Sequence, residues 1–506
     1  MSPTLIPLSS NDMWILSPEI AMTALALLVL ALDFLVKRRE IIAFVSVFGL
    51  VVPAGLLAWI VSTPNHPVYG FYGMYTIDNY AIFFDFLFLL IGAGVVLASY
   101  DFVQRYMRSS GEFYALLLFS LLGAMLMASS RELITIYIAL ELTSFPLYVM
   151  AGMLRKDIPN DAASSVRSTE ASLKYVLLGA MSSAVLLYGM ALLYGITGST
   201  DLSEIAVALQ HGFSGGPNSM VLLVADTFIF AGFGFKISAV PFHMWAPDIY
   251  QGAPTPGTLF FSVASKAAGF AALIRVFADG GLLNTGSFYL WGFIAIAAVA
   301  TMTLGNIVAI AQSDIKRMMA YSSIAQAGYI LVGFTAVAYQ PSNQTGISGM
   351  LVFLAVYVIT NIGAFAGIIA FANATGSEQL RDFDGLFRRS PTLAFGMILC
   401  LMSLAGIPPL AGALSKIYIF VTAWQEGGLL PWIVIIALIN SVISIAYYIG
   451  VAYRIFVKNP LREDRLRVSA AISVALAVSV VGIIAATIFF QPLLNFGVSG
   501  AQALLK

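Results

Sequence analysis

Apolar runs of about 20 residues alternate along the chain with short polar segments. A membrane imposes this pattern, because roughly 20 apolar residues in a helix cross the hydrocarbon layer. Fourteen such runs are predicted, near 14–35, 41–62, 79–100, 113–129, 131–153, 171–196, 220–248, 256–277, 288–311, 317–339, 347–372, 392–424, 430–456 and 468–490. The segments between them are too short for a soluble domain, so residues 1–506 are expected to form one all-α membrane domain. Two runs are longer than one crossing requires. The 220–248 run carries Pro241 and Pro247, and the 392–424 run carries Gly406, Pro408, Pro409 and Gly412. Proline removes a backbone donor and interrupts a helix, so helices 7 and 12 are expected to be discontinuous. Irregular backbone at membrane depth needs protein or a hydrated cavity around it.

The two long runs occupy the same position in successive groups of five. Helices 4–8 (113–277) and helices 9–13 (288–456) are read as two repeats, following helices 1–3 (1–112) and followed by helix 14 (468–490). An odd number of spans per unit inverts the second unit relative to the first. Charge supports the even helix count. Eighteen Lys and Arg residues fall in the segments after helices 1, 3, 5, 9, 11 and 13, against only Arg131 and Lys506 on the other side. By the positive-inside rule both termini are expected outside the cytoplasm.

Composition narrows the chemistry. The chain is 60% hydrophobic, 10% charged and of zero net charge, with a mean hydropathy of +0.91, so nucleic acid is not an expected partner. One cysteine, Cys400, excludes disulfides and cysteine-held clusters within this chain. His66, His211 and His243 have no metal-ligand spacing, and no dinucleotide fingerprint or P-loop occurs. Met1 to Met13 lacks a basic signal-peptide start, so the first run is expected to remain as a span.

Charge inside the runs is the informative feature. Lys174, Lys236, Lys266, Arg275 and Lys416 lie within predicted spans. A basic group at mid-membrane costs about 2.5–3.5 kcal/mol on insertion scales, so it persists where it meets water or a partner. Lys174 and Arg275 lie near span ends, where long side chains reach the interface; Lys236, Lys266 and Lys416 are deeper. Glu141 stands near the centre of helix 5, with Pro146 loosening the helix one turn later. Glu19 and Asp33 are expected to reach water near the ends of helix 1, and Asp85 and Asp226 to be satisfied by local hydrogen bonds. Lysines serving only as buried structural ion pairs are the alternative for each deep position.

Three motifs then carry a resemblance: Glu170-Ala171-Ser172-Leu173-Lys174-Tyr175; the stretch Lys236 to Pro256, including Pro241-Phe242-His243-Met244-Trp245-Ala246-Pro247-Asp248; and Asp314-Ile315-Lys316-Arg317-Met318-Met319-Ala320-Tyr321-Ser322-Ser323. They resemble the antiporter-like subunits of respiratory complex I, the proton-pumping NADH:quinone oxidoreductase, over nearly the whole chain. Lys416 after Gly406-Ile407-Pro408-Pro409, together with Asp384-Gly385-Leu386, resembles the branch termed subunit N or subunit 2. The resemblance implies proton translocation through Glu141, Lys236, Lys266 and Lys416, with Lys174 as a modulator and Pro241, His243, Pro408 and Pro409 at the helix breaks. It implies no cofactor on this chain, with FMN, iron–sulfur clusters and quinone held by partner subunits. The implied partners are a neighbouring antiporter-like subunit and small membrane subunits in the plasma membrane of a bacterium. A multisubunit cation/proton antiporter shares these motifs, and a purely structural membrane subunit is the third reading.

Overall fold

The computed structural model describes residues 10–36, 38–63, 67–107, 109–154, 162–210, 217–285, 288–341, 343–460 and 464–504. His66, His211, Lys37, Arg108, Arg155, Lys156, Arg462 and Lys506 lie outside the described residues. Among the described residues, thirteen helices are long and apolar enough to cross a membrane. A further pair, Pro391–Ala405 and Ala411–Gln425, replaces the single run expected at 392–424, each member being 15 residues long.

Polar residues at the helix starts explain where the spans begin. Asp78 accepts from the Ala81 N–H at 2.8 Å, Ser109 from Glu112 at 3.1 Å, and Asn343 from Gly346 at 2.9 Å. Asp314, the first residue of the third motif, accepts from the Arg317 N–H at 3.0 Å. Each side chain replaces a hydrogen bond that the first helical turn cannot make for itself.

The spans differ sharply in enclosure. Thr255–Asp279, Ile315–Tyr339 and Gln344–Thr375 are buried around nearly their whole circumference, whereas Ser17–Leu35 and Ala470–Ile488 are largely exposed. Helices apolar all round are expected in both settings, so enclosure is a product of packing rather than of local pattern. The central three are the ones that carry Lys266, Ser322, Ser323, Gln326 and Tyr357. Close approach of Phe288–Ile310 and Ile315–Tyr339 rests on one glycine from each helix. A Cβ at Gly305 would stand 2.6 Å from the Ala325 nitrogen, and one at Gly328 would stand 2.5 Å from the Met302 nitrogen.

Several elements differ from the expected layout. Helix 7 ends at Ile237 and resumes as Trp245–Gly252, so the break is seven residues long and lies inside the run read as 220–248. Helix 8 is helical over Thr255–Phe260 and Lys266–Asp279, but Phe261–Ser265 forms a π-turn between them. The 41–62 run bends at Leu50, where Arg39–Gly49 passes into Val51–Ser62. Beyond helix 14, where no element was expected, Phe490–Leu504 forms another helix, whose buried face is Gly497, Gly500, Ala501 and Leu504. Small residues at that spacing allow close packing, and Gly497 and Gly500 lie against the 344–375 helix.

Expectations for the minor acids also change. Asp33 stays partly exposed near its span end, as expected, and also accepts from Ser109 at 2.5 Å and from the Gly111 N–H at 2.9 Å. Glu19 is buried and accepts from Tyr75 at 2.6 Å rather than reaching water. Asp85 is buried with neither carboxylate oxygen hydrogen-bonded, and Asp226 Oδ1 is also without a partner, against the expectation of local bonds. Arg275 is fully buried instead of reaching the interface; it binds Asp78 at 2.6 Å, Asp279 at 3.2 Å and the Ala128 carbonyl at 2.7 Å.

Candidate functional site

The first break is held by its own surroundings. Ser238 adopts a left-handed φ of 61°, and the Val240–Pro241 bond is cis. The Trp245 indole donates to the Phe235 carbonyl at 2.7 Å, joining the two sides of the break, and the Val240 N–H donates to Thr301 Oγ1 at 2.9 Å. Freed backbone groups thus find partners within protein, as a membrane requires. Pro241 is exposed at the break, and His243 is partly buried with Nδ1 unpartnered.

Lys236 lies one residue before the end of the first half-helix and is buried. Its amine donates to Ser144 Oγ and lies 5.7 Å from the centre of the Tyr148 ring. Ser144 in turn donates to the Leu140 carbonyl. Glu141, Ser144 and Tyr148 follow each other at helical spacing on Leu133–Ala151, so Glu141 lies one turn from the lysine's acceptor. Glu141 and Lys236 do not form a direct ion pair; Glu141 Oε1 is buried without a hydrogen-bond partner. The structure therefore brings the two charges into one neighbourhood, with the lysine bonded to a hydroxyl one helical turn from the carboxylate.

Lys266 begins the helix that follows the π-turn and is almost wholly buried. Its amine donates to the Ser323 carbonyl. The Ser323 hydroxyl meets Tyr357 Oη at 2.8 Å and Tyr250 Oη at 3.5 Å, and Tyr357 donates to the Ser262 carbonyl at 3.1 Å. From the adjacent residue, Ser322 Oγ bonds Tyr448 Oη. Gln326 donates to that tyrosine at 3.3 Å and to the Leu404 carbonyl at 2.9 Å. The same carbonyl accepts from the Lys416 amine at 3.0 Å. A polar file thus runs from Lys266 to Lys416 by way of Ser323, Ser322, Tyr448 and Gln326.

Lys416 lies on the second half-helix, after the break. Its amine turns back to the Leu404 and Ala405 carbonyls, at 3.0 and 3.2 Å, and stands 4.7 Å from the centre of the Tyr329 ring. The last carbonyls of a helix lack internal partners and carry partial negative charge, so an amine there satisfies both. Gly406 caps that helix at φ 82°, and a Cβ on it would stand 2.9 Å from Lys416 Cδ. Pro408 and Pro409, joined by a cis bond, face outward.

At the basic-loop end, Lys174 is half-exposed and pairs with Glu170 at 2.8 Å and Asp248 at 3.1 Å; Arg317 reaches Asp248 at 2.9 Å. Partial burial raises the Asp248 carboxyl, but hydrogen bonds from Lys174 and Arg317 outweigh it and hold the group below the usual carboxylate range. Beside them a cavity of about 450 Å³ is lined by Arg167, Gln251, Thr255, Asp314, Lys316 and Glu378. Lys316 bonds Glu378 and the Ala253 carbonyl, each at 2.9 Å, and Thr255 donates to Glu378 at 2.7 Å. Thr255, Thr258, Ser262 and Ser265 follow at helical spacing toward Lys266.

Ser144, Ser322, Ser323, Gln326, Tyr250, Tyr357 and Tyr448 were not singled out individually from the sequence. Ser144 was the most accessible of them, since it stands three residues from Glu141. Ser322 and Ser323 lie in the third motif, but only the fold shows which group each meets.

Long enclosed helices, two proline breaks and a file of buried amines define an antiporter-like membrane protein. The chain belongs to the NADH:quinone oxidoreductase/Mrp antiporter transmembrane family, whose model matches residues 130–444, in the branch of NADH-quinone oxidoreductase subunit N. It is 41% identical to that subunit from Dehalococcoides mccartyi over 94% of this chain and 97% of the relative. The subunit from Moorella thermoacetica is 42% identical, with 97% and 98% covered. A chain of respiratory complex I from Thermus thermophilus superposes with a TM-score of 0.76 at 30% identity, covering 94% and 98%. A chain of the Mrp complex from Dietzia sp. shares the fold at a TM-score of 0.79 and 19% identity, covering 98% and 99%.

Proposed function

We propose that the chain is a proton-translocating membrane subunit of an NADH:quinone oxidoreductase, and that Glu141, Lys236, Lys266 and Lys416 carry the proton. The observation that carries this reading is the file of polar groups between Lys266 and Lys416, in which backbone carbonyls, hydroxyls and an amide lie between two buried amines. Hydroxyls both donate and accept, so they can pass a proton along a file, whereas a lysine amine can hold it as charge.

Glu141 and Lys236 form the loading point. Approach of the Glu141 carboxylate favours the charged amine, and its withdrawal favours release. Ser144 keeps the amine bonded in both states. The proton then moves to Lys266, through the file to Lys416, and leaves on the side away from the basic loops. Each proton moved against 100 mV costs about 2.3 kcal/mol, which electron transfer in partner subunits supplies. Lys174 acts on the Asp248–Arg317 contact and modulates the neighbouring break. The helix count of fourteen, the inverted five-helix repeats and termini on the outer side of a bacterial plasma membrane complete the reading. The two breaks at corresponding positions support the repeat.

In this reading the redox centres lie outside this chain, whose single cysteine is too few to hold an iron–sulfur cluster by itself. FMN, clusters and quinone belong to the partner subunits, among them a neighbouring antiporter-like subunit and small membrane subunits. The test is Lys236→Ala in the assembled complex, with NADH oxidation and proton uptake read together in inverted vesicles. Pumping is expected to stop while the complex remains assembled. Unchanged proton yield per NADH would overturn the proposal, and co-purification of membrane subunits without flavin or clusters would move the chain to the cation/proton antiporters.

A further inference from the structure

A second group of titratable side chains lies apart from the lysine file, near the start of the Ser17–Leu35 and Asn79–Tyr106 helices. Asp85 is wholly buried, and neither carboxylate oxygen has a hydrogen-bond partner. Glu19 is 2% exposed; its Oε1 accepts from Tyr75 Oη at 2.6 Å, and its Oε2 has no partner. Ser129 Oγ, at the end of the Ser110–Ser129 helix, is also buried and unpartnered and lies beside the Tyr75 hydroxyl. Asp85 is within electrostatic reach of Glu19, Asp78 and Arg275.

The nearby cations are already committed. Arg275 is bound by Asp78 at 2.6 Å and Asp279 at 3.2 Å, with Tyr80 4.7 Å below its guanidinium, and Arg131 pairs with Asp279 at 3.3 Å. Two arginines and two aspartates leave no net positive charge for a third carboxylate. A buried acid without a counter-charge or donors is far more stable neutral than ionised. Two acids close together resist simultaneous ionisation still more. Among the described residues no group of three or more His, Cys, Asp and Glu side chains could hold a metal ion, so the ligand this geometry suits is a proton.

We propose that Asp85 and Glu19, the latter hydrogen-bonded to the Tyr75 hydroxyl and both within electrostatic reach of it, are a proton-holding pair. Asp85 carries its proton, Glu19 exchanges one with Tyr75 as intermediary, and Ser129 offers the next hydroxyl. The pair lies at the end of the molecule opposite the basic loops. Its assignment as an outer-side proton reservoir rests on the translocation reading above, whereas the protonation of Asp85 does not.

The experiment is infrared spectroscopy of the purified complex in H2O and D2O, comparing the wild type with Asp85→Asn and Glu19→Gln. Asp85→Asn is expected to remove one carboxylic-acid carbonyl band that shifts on deuteration. Glu19→Gln and Tyr75→Phe are expected to displace the remaining Asp85 band, because they alter its neighbours. Loss of a carboxylate band instead would mean that Asp85 is ionised and would overturn the proposal, as would a band that changes with Na⁺ at fixed pH. If Asp85→Asn does not assemble, the Glu19→Gln and Tyr75→Phe spectra decide: an unmoved acid band overturns the pair. The same band read in the Lys236→Ala complex separates the two questions, since it is expected to survive there whether or not pumping does.

Discussion

At the first break the buried lysine precedes the irregular segment and gives its amine to a side chain of another helix, one turn from a carboxylate. At the second break the lysine follows the irregular segment and gives its amine to the carbonyl end of its own broken helix. Lys236 thus rests on a hydroxyl one turn from Glu141, a group whose charge can change, whereas Lys416 rests on fixed backbone dipoles. A movable charge suits a point where a proton is taken up or withheld, and a fixed one suits a point where it rests before leaving. The difference shows that two sites built on the same motif, a lysine beside a proline break, acquire different electrostatics from which side of the break the lysine occupies.

Removing either amine should have the largest effect. Lys236→Ala and Lys416→Ala are each expected to lower coupled proton transfer more than tenfold, which corresponds to more than about 1.4 kcal/mol. Only at the first break should a carboxylate change do the same. Glu141→Gln should match Lys236→Ala and add little to it in the double variant, measured as proton uptake per NADH. Additive losses from Glu141→Gln and Lys236→Ala would break the comparison.

The breaks should also differ in backbone tolerance. Gly406→Ala places a side chain at φ 82° against Lys416, an arrangement that costs on the order of 1–3 kcal/mol. It should lower the thermal stability of the assembled complex. Ser238→Gly relieves a left-handed serine and should leave stability unchanged or slightly raised.

Smaller losses are expected from the bridging groups. Ser144→Ala leaves the Lys236 amine short of an acceptor, and Gln326→Leu cuts the link between Tyr448 and the Leu404 carbonyl. Each should cost about 1 kcal/mol in the step it serves, read as a roughly fivefold slower turnover in an otherwise intact complex. Ser144→Thr, which keeps the hydroxyl, should restore most of the first.

The least effect is expected at the basic-loop end. Lys174→Ala should slow turnover only mildly. Since Asp248 is held below the usual carboxylate value, its contact with Lys174 and Arg317 persists above that pH and is lost only as pH falls through the lowered value. The ordinary value is about 3.9. The effect of Asp248→Asn should therefore be the same at neutral and mildly alkaline pH, checked by turnover across that range.

The lysines were legible in the sequence because a charge inside an apolar run has few explanations. The breaks were legible because prolines and glycines mark them. The bridging groups were not, since serine, threonine and tyrosine occur throughout packed membrane helices and only the fold shows which hydroxyls meet. The π-turn before Lys266 left no comparable mark: Phe261-Ser262-Val263-Ala264-Ser265 contains no residue that disrupts a helix. Asp85 shows the opposite failure. Its isolation in an apolar run was visible, but local hydrogen bonds were the ordinary expectation for it, and the structure supplies none.

The glycine contacts between Phe288–Ile310 and Ile315–Tyr339 have a mechanical meaning. With backbones this close, sliding one helix past the other by a turn, about 5.4 Å, would drive side chains into main chain, so the two move as one stiff bar. One arm of that bar carries Thr301, which holds Val240 in the first break, and the other carries Gln326, which holds Leu404 at the edge of the second. Both interruptions are therefore tied by hydrogen bonds to one closely packed helix pair, a common strut between them.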